Sequence, residues 1–110
     1  MFFTAKDVVG HRMRDKAGVA VGRVTAFYRY PPELSATSGV AAVTLGRILR
    51  STHLVDLLDA RLDGDEVVAA YPVALIKTAP NHQALVGDTL SDRHAAEVLQ
   101  HYKGGVEADA

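Results

Sequence analysis

Cysteine is absent from the 110-residue chain. That excludes a disulfide scaffold, a thiolate zinc site and a cysteine nucleophile. A reducing compartment suits such a chain, and the cytoplasm is the expected location. A charge surplus is also missing, because 12 Lys and Arg stand against 13 Asp and Glu, for a formal net charge of −1. Proteins that coat phosphate backbones need a basic excess, so nucleic acid is not the expected partner. No long hydrophobic run is present either. The longest, Val67 to Ile76, is interrupted by Pro72 and reaches about half of the ~20 residues that a membrane helix requires. At the start, MFFTAKDVVG lacks a basic n-region, and Lys6 and Asp7 break any apolar stretch. A secretory signal is therefore not expected, and the expectation is a soluble chain with no membrane partner.

What is present is a core. The chain is 48% hydrophobic, and a domain of this length buries roughly two-thirds of its unfolded surface. One domain over residues 1–103 is expected, with 104–110 as a flexible tail. Most of the sequence reads as short β-strands. Val19–Tyr28 is β-rich and follows the turn-like Asp15-Lys16-Ala17-Gly18, and Gly39–Leu45 is a second apolar run. Pro31-Pro32 and a Ser/Thr cluster make a loop between them. Leu54–Leu58 and Ala60–Leu62 lead into Asp63-Gly64, a strong hairpin signal, and Val67–Tyr71 returns. Val73–Thr78 reads as a strand or one helical turn. The period then changes: Ala95, Val98, Leu99 and Tyr102 share one helical face. Ser91 suits the N-cap and Gly104 the end of that helix.

These pieces resemble the PRC-barrel domain family, which includes the cytoplasmic domain of the photosynthetic reaction-centre H subunit and the C-terminal domain of a ribosome maturation factor. The resemblance spans about residues 4–103. Ala5 to Gly10 running into Asp15–Val24 is similar to the family's opening, D-x-x-G-x-x-x-G-x-V. Leu54–Leu57 with Ala60–Val68 resembles its hairpin. Tyr71-Pro72, Ile76–Pro80 and the stretch from Leu90-Ser91 to His101-Tyr102 resemble its closing segments. The resemblance implies a mainly β fold: a small barrel of five or six short antiparallel strands with a C-terminal helix. It implies an assembly surface and brings no catalytic residues.

The residues themselves offer few chemical constellations. His94, Glu97 and His101 lie on one helical stripe, but the two histidines are about 10 Å apart along the axis, too far to share one zinc ion. A solvated helix flank is the simpler reading. His11, His53 and His82 are isolated, and Asp56, Asp59 and Asp63-Gly64-Asp65-Glu66 read as turn chemistry rather than a paired-carboxylate or calcium site. Ser35, Ser38 and Ser51 lack a nucleophile elbow, and Gly18 with Gly22 lacks the lysine of a phosphate loop.

Arg23, Phe27, Tyr28, Arg29 and Tyr30 interleave cations with aromatics, the chemistry of RNA-binding sheets and of protein hot spots alike. Phe27 and Tyr28 point to opposite faces of a strand, so one of the two belongs to the core. Arg23, Tyr28, Arg29, Tyr30, Arg47 and Arg50 are accordingly the candidate interaction surface. The expected function is a non-enzymatic protein–protein interaction or assembly module, homodimeric, with no cofactor and no metal. An RNA-processing or ribosome-associated accessory factor is the alternative, and it requires Arg23, Tyr28, Arg29, Arg47 and Arg50 to converge on one face. A metal- or small-ligand-binding protein is the third possibility. Arginines gather between Arg12 and Arg50 while acids concentrate in Asp56–Glu66 and near the last helix, so the balanced total conceals surfaces of opposite sign.

Overall fold

A computed structural model describes residues 3–34, 38–46, 48, 50–80 and 87–108. Six strands form one sheet: β1 (Arg12–Arg14), β2 (Ala20–Tyr28), β3 (Val40–Leu45), β4 (Ser51–Asp56), β5 (Arg61–Asp63) and β6 (Glu66–Val68). Helix α1 (Ala5–Val8) precedes them, α2 (Val73–Lys77) follows β6, and α3 (Asp92–Ala108) closes the chain. The fold is mainly β with a C-terminal helix. Strand order is β4-β3-β2-β1-β6-β5, and no ladder joins β4 to β5 among the described residues.

The first four strands form an antiparallel meander and β5–β6 an antiparallel hairpin. The hairpin turns at Gly64-Asp65, one residue later than the sequence pattern suggests, and Gly64 has φ +60°, which glycine adopts without the steric penalty of a Cβ. The expected all-antiparallel arrangement fails at one joint, because β1 pairs with β6 in parallel, Arg12 opposite Glu66 and Met13 opposite Val67. Strands so far apart in sequence are joined by a long crossover, which permits the parallel sense that a tight turn forbids. Strand β1 itself carries only three residues, Arg-Met-Arg, too short a run for hydrophobic periodicity to reveal.

Strand β2 is bulged twice. Arg14 pairs with Ala20 but Met13 with Gly22, leaving Val21 over. Val24 pairs with Val43 but Ala26 with Ala42, leaving Thr25 over. Each bulge bends the strand and shifts its side-chain alternation by one residue. Tyr28 is consequently buried while Phe27 is half-buried, packed against Gly39. Gly39 has φ +88°, and a Cβ there would lie 2.6 Å from the Phe27 ring.

The core gathers Val8, Met13, Val24, Val43, Leu54, Val67, Ile76, Ala95, Val98 and Tyr102. Full burial of one such side chain stabilises by about 1.5–3 kcal/mol. Strand β3 is buried throughout Val40–Val43 because it lies inside the sheet between β2 and β4, so it offers no free edge for pairing with another chain. At the end of the sheet, β4 is covered instead. Leu54 donates its N–H to Pro80 O at 3.3 Å, and its carbonyl accepts the Tyr102 hydroxyl at 2.6 Å. Both edge groups of that residue are satisfied, which blunts a template for strand addition. Helix α3 runs past Gly104, the expected stop, to Ala108. Glycine within a helix costs about 1 kcal/mol but does not forbid one. The stretch 73–77, open between strand and helix in sequence, is the helical turn α2.

Candidate interaction face

The strand registers place one residue from each strand in a continuous line across the sheet. Thr52 pairs with Thr44, Thr44 with Arg23, Arg23 with Arg12, Arg12 with Glu66, and Glu66 with Asp63. Directly opposed residues share a face, so this line is a polar row on one side of the sheet. All six residues are exposed or half-buried. The same face is closed at its other end, where Asp56 shares its side of β4 with Thr52 and pairs with Val40, itself opposite Tyr28. All three of those residues are buried.

Over the open end lies a groove of ≈ 810 Å³, lined among others by Arg12, Arg14, Arg23, Arg50, Thr25 and Thr44. A smaller hollow of ≈ 470 Å³ adjoins it, where His11, Asp65 and Glu66 meet Arg12 and Arg23. Four guanidinium groups thus reach one surface, and among the described residues one of them, Arg14, is paired with a carboxylate there. Arg14 Nε donates to Glu66 Oε2, and its Nη1 donates to Gly18 O at 2.9 Å. The Glu66 bond and charge hold the Arg14 guanidinium in its charged form, with Asp63 adding to the effect. Arg23 donates to a neutral carbonyl, Gly10 O, at 2.8 Å. Arg12 and Arg50 have no carboxylate partner among the described residues. Arg12 and Arg23 are directly opposed on β1 and β2, and like charges in that position destabilise a sheet.

Of the six residues expected to form the surface, two line this groove, Arg23 and Arg50. Tyr28 and Tyr30 are instead 5% and 6% exposed; the β2 bulge turns Tyr28 inward, and Tyr30 is held by Asp56. Arg29 is exposed but pairs with Thr89, six residues from Arg23 and so about 20 Å along the chain. Arg47 lies outside the described residues, as do Ser35 and His82. Tyr28 and Tyr30 therefore do not join Arg23 and Arg50 on the groove. Sequence reasoning missed Arg12 and Arg14. Their signal was the Arg-Met-Arg alternation, two cations flanking an apolar residue, which is legible only once three residues are accepted as a strand.

The titratable groups in the interior are engaged elsewhere. Asp56 accepts the Tyr30 hydroxyl on Oδ1 and the Tyr71 hydroxyl on Oδ2, each at 2.7 Å. Tyr71 packs on Tyr102 with ring centroids 4.5 Å apart. Burial first, and then the Asp56 carboxylate, push the phenols of Tyr30, Tyr71 and Tyr102 far above their ordinary range. Asp15, 2% exposed, accepts the amides of Ala17 and Val19 on Oδ1 at 2.8 Å and of Val73 on Oδ2 at 2.9 Å. It thereby ties the β1–β2 turn to the start of α2. His53 donates Nδ1–H to Ala79 O at 2.8 Å, and its Nε2 meets the Ser51 hydroxyl at 2.9 Å. That pair of bonds fixes the orientation of the ring.

On α3, His94 Nδ1 meets Ser91 Oγ at 2.9 Å, whereas His101 Nε2–H donates to Leu75 O at 2.8 Å. The two rings thus serve a helix cap and an inter-helix bond. No three His, Asp or Glu side chains gather to hold a metal among the described residues. No helix among them is long and apolar enough to cross a membrane. No protein-family model, curated protein or solved structure matches the chain.

Proposed function

We propose that this protein is a non-enzymatic interaction or assembly module of the PRC-barrel type, which binds another protein surface through the open, arginine-lined end of its sheet. One observation carries the reading: Arg12 and Arg23 stand directly opposite each other in an open groove beside Arg50, and among the described residues neither forms a salt bridge, the nearby Glu66 being bonded to Arg14. An arrangement that is unfavourable in the isolated chain becomes favourable when acidic groups dock on it, and such complementarity fixes register and partner choice. The interior adds support. Asp15, His53 and Asp56 have their hydrogen-bonding atoms taken up by the fold, which suits structural rather than chemical duty. The order of six strands followed by a helix, with the Gly64-Asp65 hairpin late in the series, supports the family reading.

The test is capture of binding partners by the intact chain and by an Arg12→Glu, Arg23→Glu double variant, with bound proteins identified by mass spectrometry. Proteins retained by the first bait and lost by the second are expected. If nothing is retained above background while a metabolite or metal ion raises the melting temperature, the module reading is wrong.

A further inference from the structure

Four residues of the polar row fall in a particular order of sign. Reading across β5, β6, β1 and β2, they are Asp63, Glu66, Arg12 and Arg23, two acids and then two bases. At roughly 4.8 Å between strands, the series covers about 14 Å. An axis laid along the strands above the β6–β1 joint exchanges β5 with β2 and β6 with β1 on a facing copy. We propose that the chain forms a two-fold dimer through this face, with Asp63 and Glu66 of each copy on Arg23 and Arg12 of the other. The proposal rests on the module reading and names its partner as a second copy of this chain.

A two-fold contact requires a patch complementary to itself under rotation. Most charged patches fail that requirement, since a face of one sign meets its own sign. Here every position meets its opposite, twice over. The contact also resolves the like-charge opposition within each chain, because each arginine of the Arg12–Arg23 pair gains a carboxylate. Arg14, bonded to Glu66 and to Gly18 O, steadies that glutamate on the row. The outer charges extend the pattern, with Asp65 beside the acidic end and Arg50 lining the groove toward the basic end. A contact of exposed ion pairs is screened within about 8 Å at physiological salt, so the dimer is salt-sensitive.

Sedimentation equilibrium of the full chain reads the outcome. In dilute buffer a dimer is expected, and raising sodium chloride to high concentration should weaken it by about tenfold or more. Arg23→Asp alone and Asp63→Arg alone each place like charges in contact twice and should abolish dimerisation. An equimolar mixture of those two variants should dimerise again, because every pair between unlike chains is then opposite in sign. Both positions are exposed, and circular dichroism of each variant checks its fold. Should a variant fail to fold, hydrogen exchange of the wild-type chain decides: protection of β1 and β6 must rise with protein concentration and fall with salt. A wild-type chain that stays monomeric overturns the proposal, as does a dimer indifferent to both substitutions or a mixture no tighter than its components. Poly-L-glutamate separates the two readings. If a monomeric wild-type chain binds it and the Arg12→Glu, Arg23→Glu variant does not, the module reading stands and only self-association falls.

Discussion

Tyr71 donates its hydroxyl to Asp56 Oδ2 at 2.7 Å from a segment 15 residues further along the chain. The bond ties the segment before α2 to the end of β4, and Tyr30 holds the second carboxylate oxygen. A hydrogen bond to a carboxylate contributes about 1.5–3 kcal/mol. Tyr71→Phe should lower unfolding free energy by about that amount, measured by urea titration. Asp56→Ala should cost more than either tyrosine change, because it leaves two buried hydroxyls without their acceptor. Equal losses in Asp56→Ala and Tyr71→Phe would mean that water replaces the carboxylate at little expense.

Asp15 is expected to contribute to the acid limb of stability. Burial alone would raise its pKa, but amide hydrogen bonds from Val19, Val73, Ala17 and Gly18 outweigh it and the net shift is downward. A carboxyl depressed in the folded state stabilises above its unfolded value of about 3.9, and that contribution disappears as pH falls through the folded value. Wild-type stability should therefore fall with acidification below about pH 4. Asp15→Asn should be less stable at neutral pH and show a shallower acid slope, read from urea midpoints across a pH series.

At the alkaline end the sign reverses. Three buried phenols have raised pKa values, foremost through burial, so the unfolded chain releases their protons first. Their contribution is complete below the unfolded tyrosine value of about 10 and is lost as pH climbs above it. Tyrosinate absorbance from Tyr30, Tyr71 and Tyr102 should rise together with loss of circular dichroism, in one cooperative step. Early, gradual ionisation of all four tyrosines before unfolding would show that these hydroxyls are open to solvent.

Gly22 lies beneath the same stretch of β3 that bears Thr44. A Cβ placed on it would sit 2.1 Å from the Thr44 carbonyl oxygen, a backbone atom that cannot swing aside. Gly22→Ala should displace β2 from β3 and reduce stability by about 1–3 kcal/mol, lowering the melting temperature. The same change should weaken any association that depends on Arg23, its neighbour.

The elements visible in sequence were those whose signals are local. Gly39–Leu45 anticipates β3 almost residue for residue, and Asp63-Gly64 marks the hairpin to within one residue, the turn itself being Gly64-Asp65. The helix start at Ser91 is likewise local, its hydroxyl accepting His94 N–H at 3.2 Å. Asp56 illustrates the limit. Its neighbours suggest turn chemistry, yet the phenols that define it come from 26 and 15 residues away, and no pattern near Asp56 announces them. The β2 bulges are a second limit. They change which side Tyr28 takes, so strict alternation cannot decide between Tyr28 and Phe27. Arg23 and Arg50 were recognisable as candidates, while Arg12 acquired its place through pairing with β6, a partner more than fifty residues distant.

That parallel joint between β1 and β6 has a consequence for biosynthesis. The β1–β4 meander consists of neighbouring hairpins and can assemble while the chain is still emerging from the ribosome. Its β1 side, however, stays bare until Glu66–Val68 has been made, and a bare strand is an invitation to foreign pairing. The sheet is thus finished last at an interior seam rather than at its rim. A pause in translation before residue 66 would expose the nascent chain at the very strand that carries Arg12.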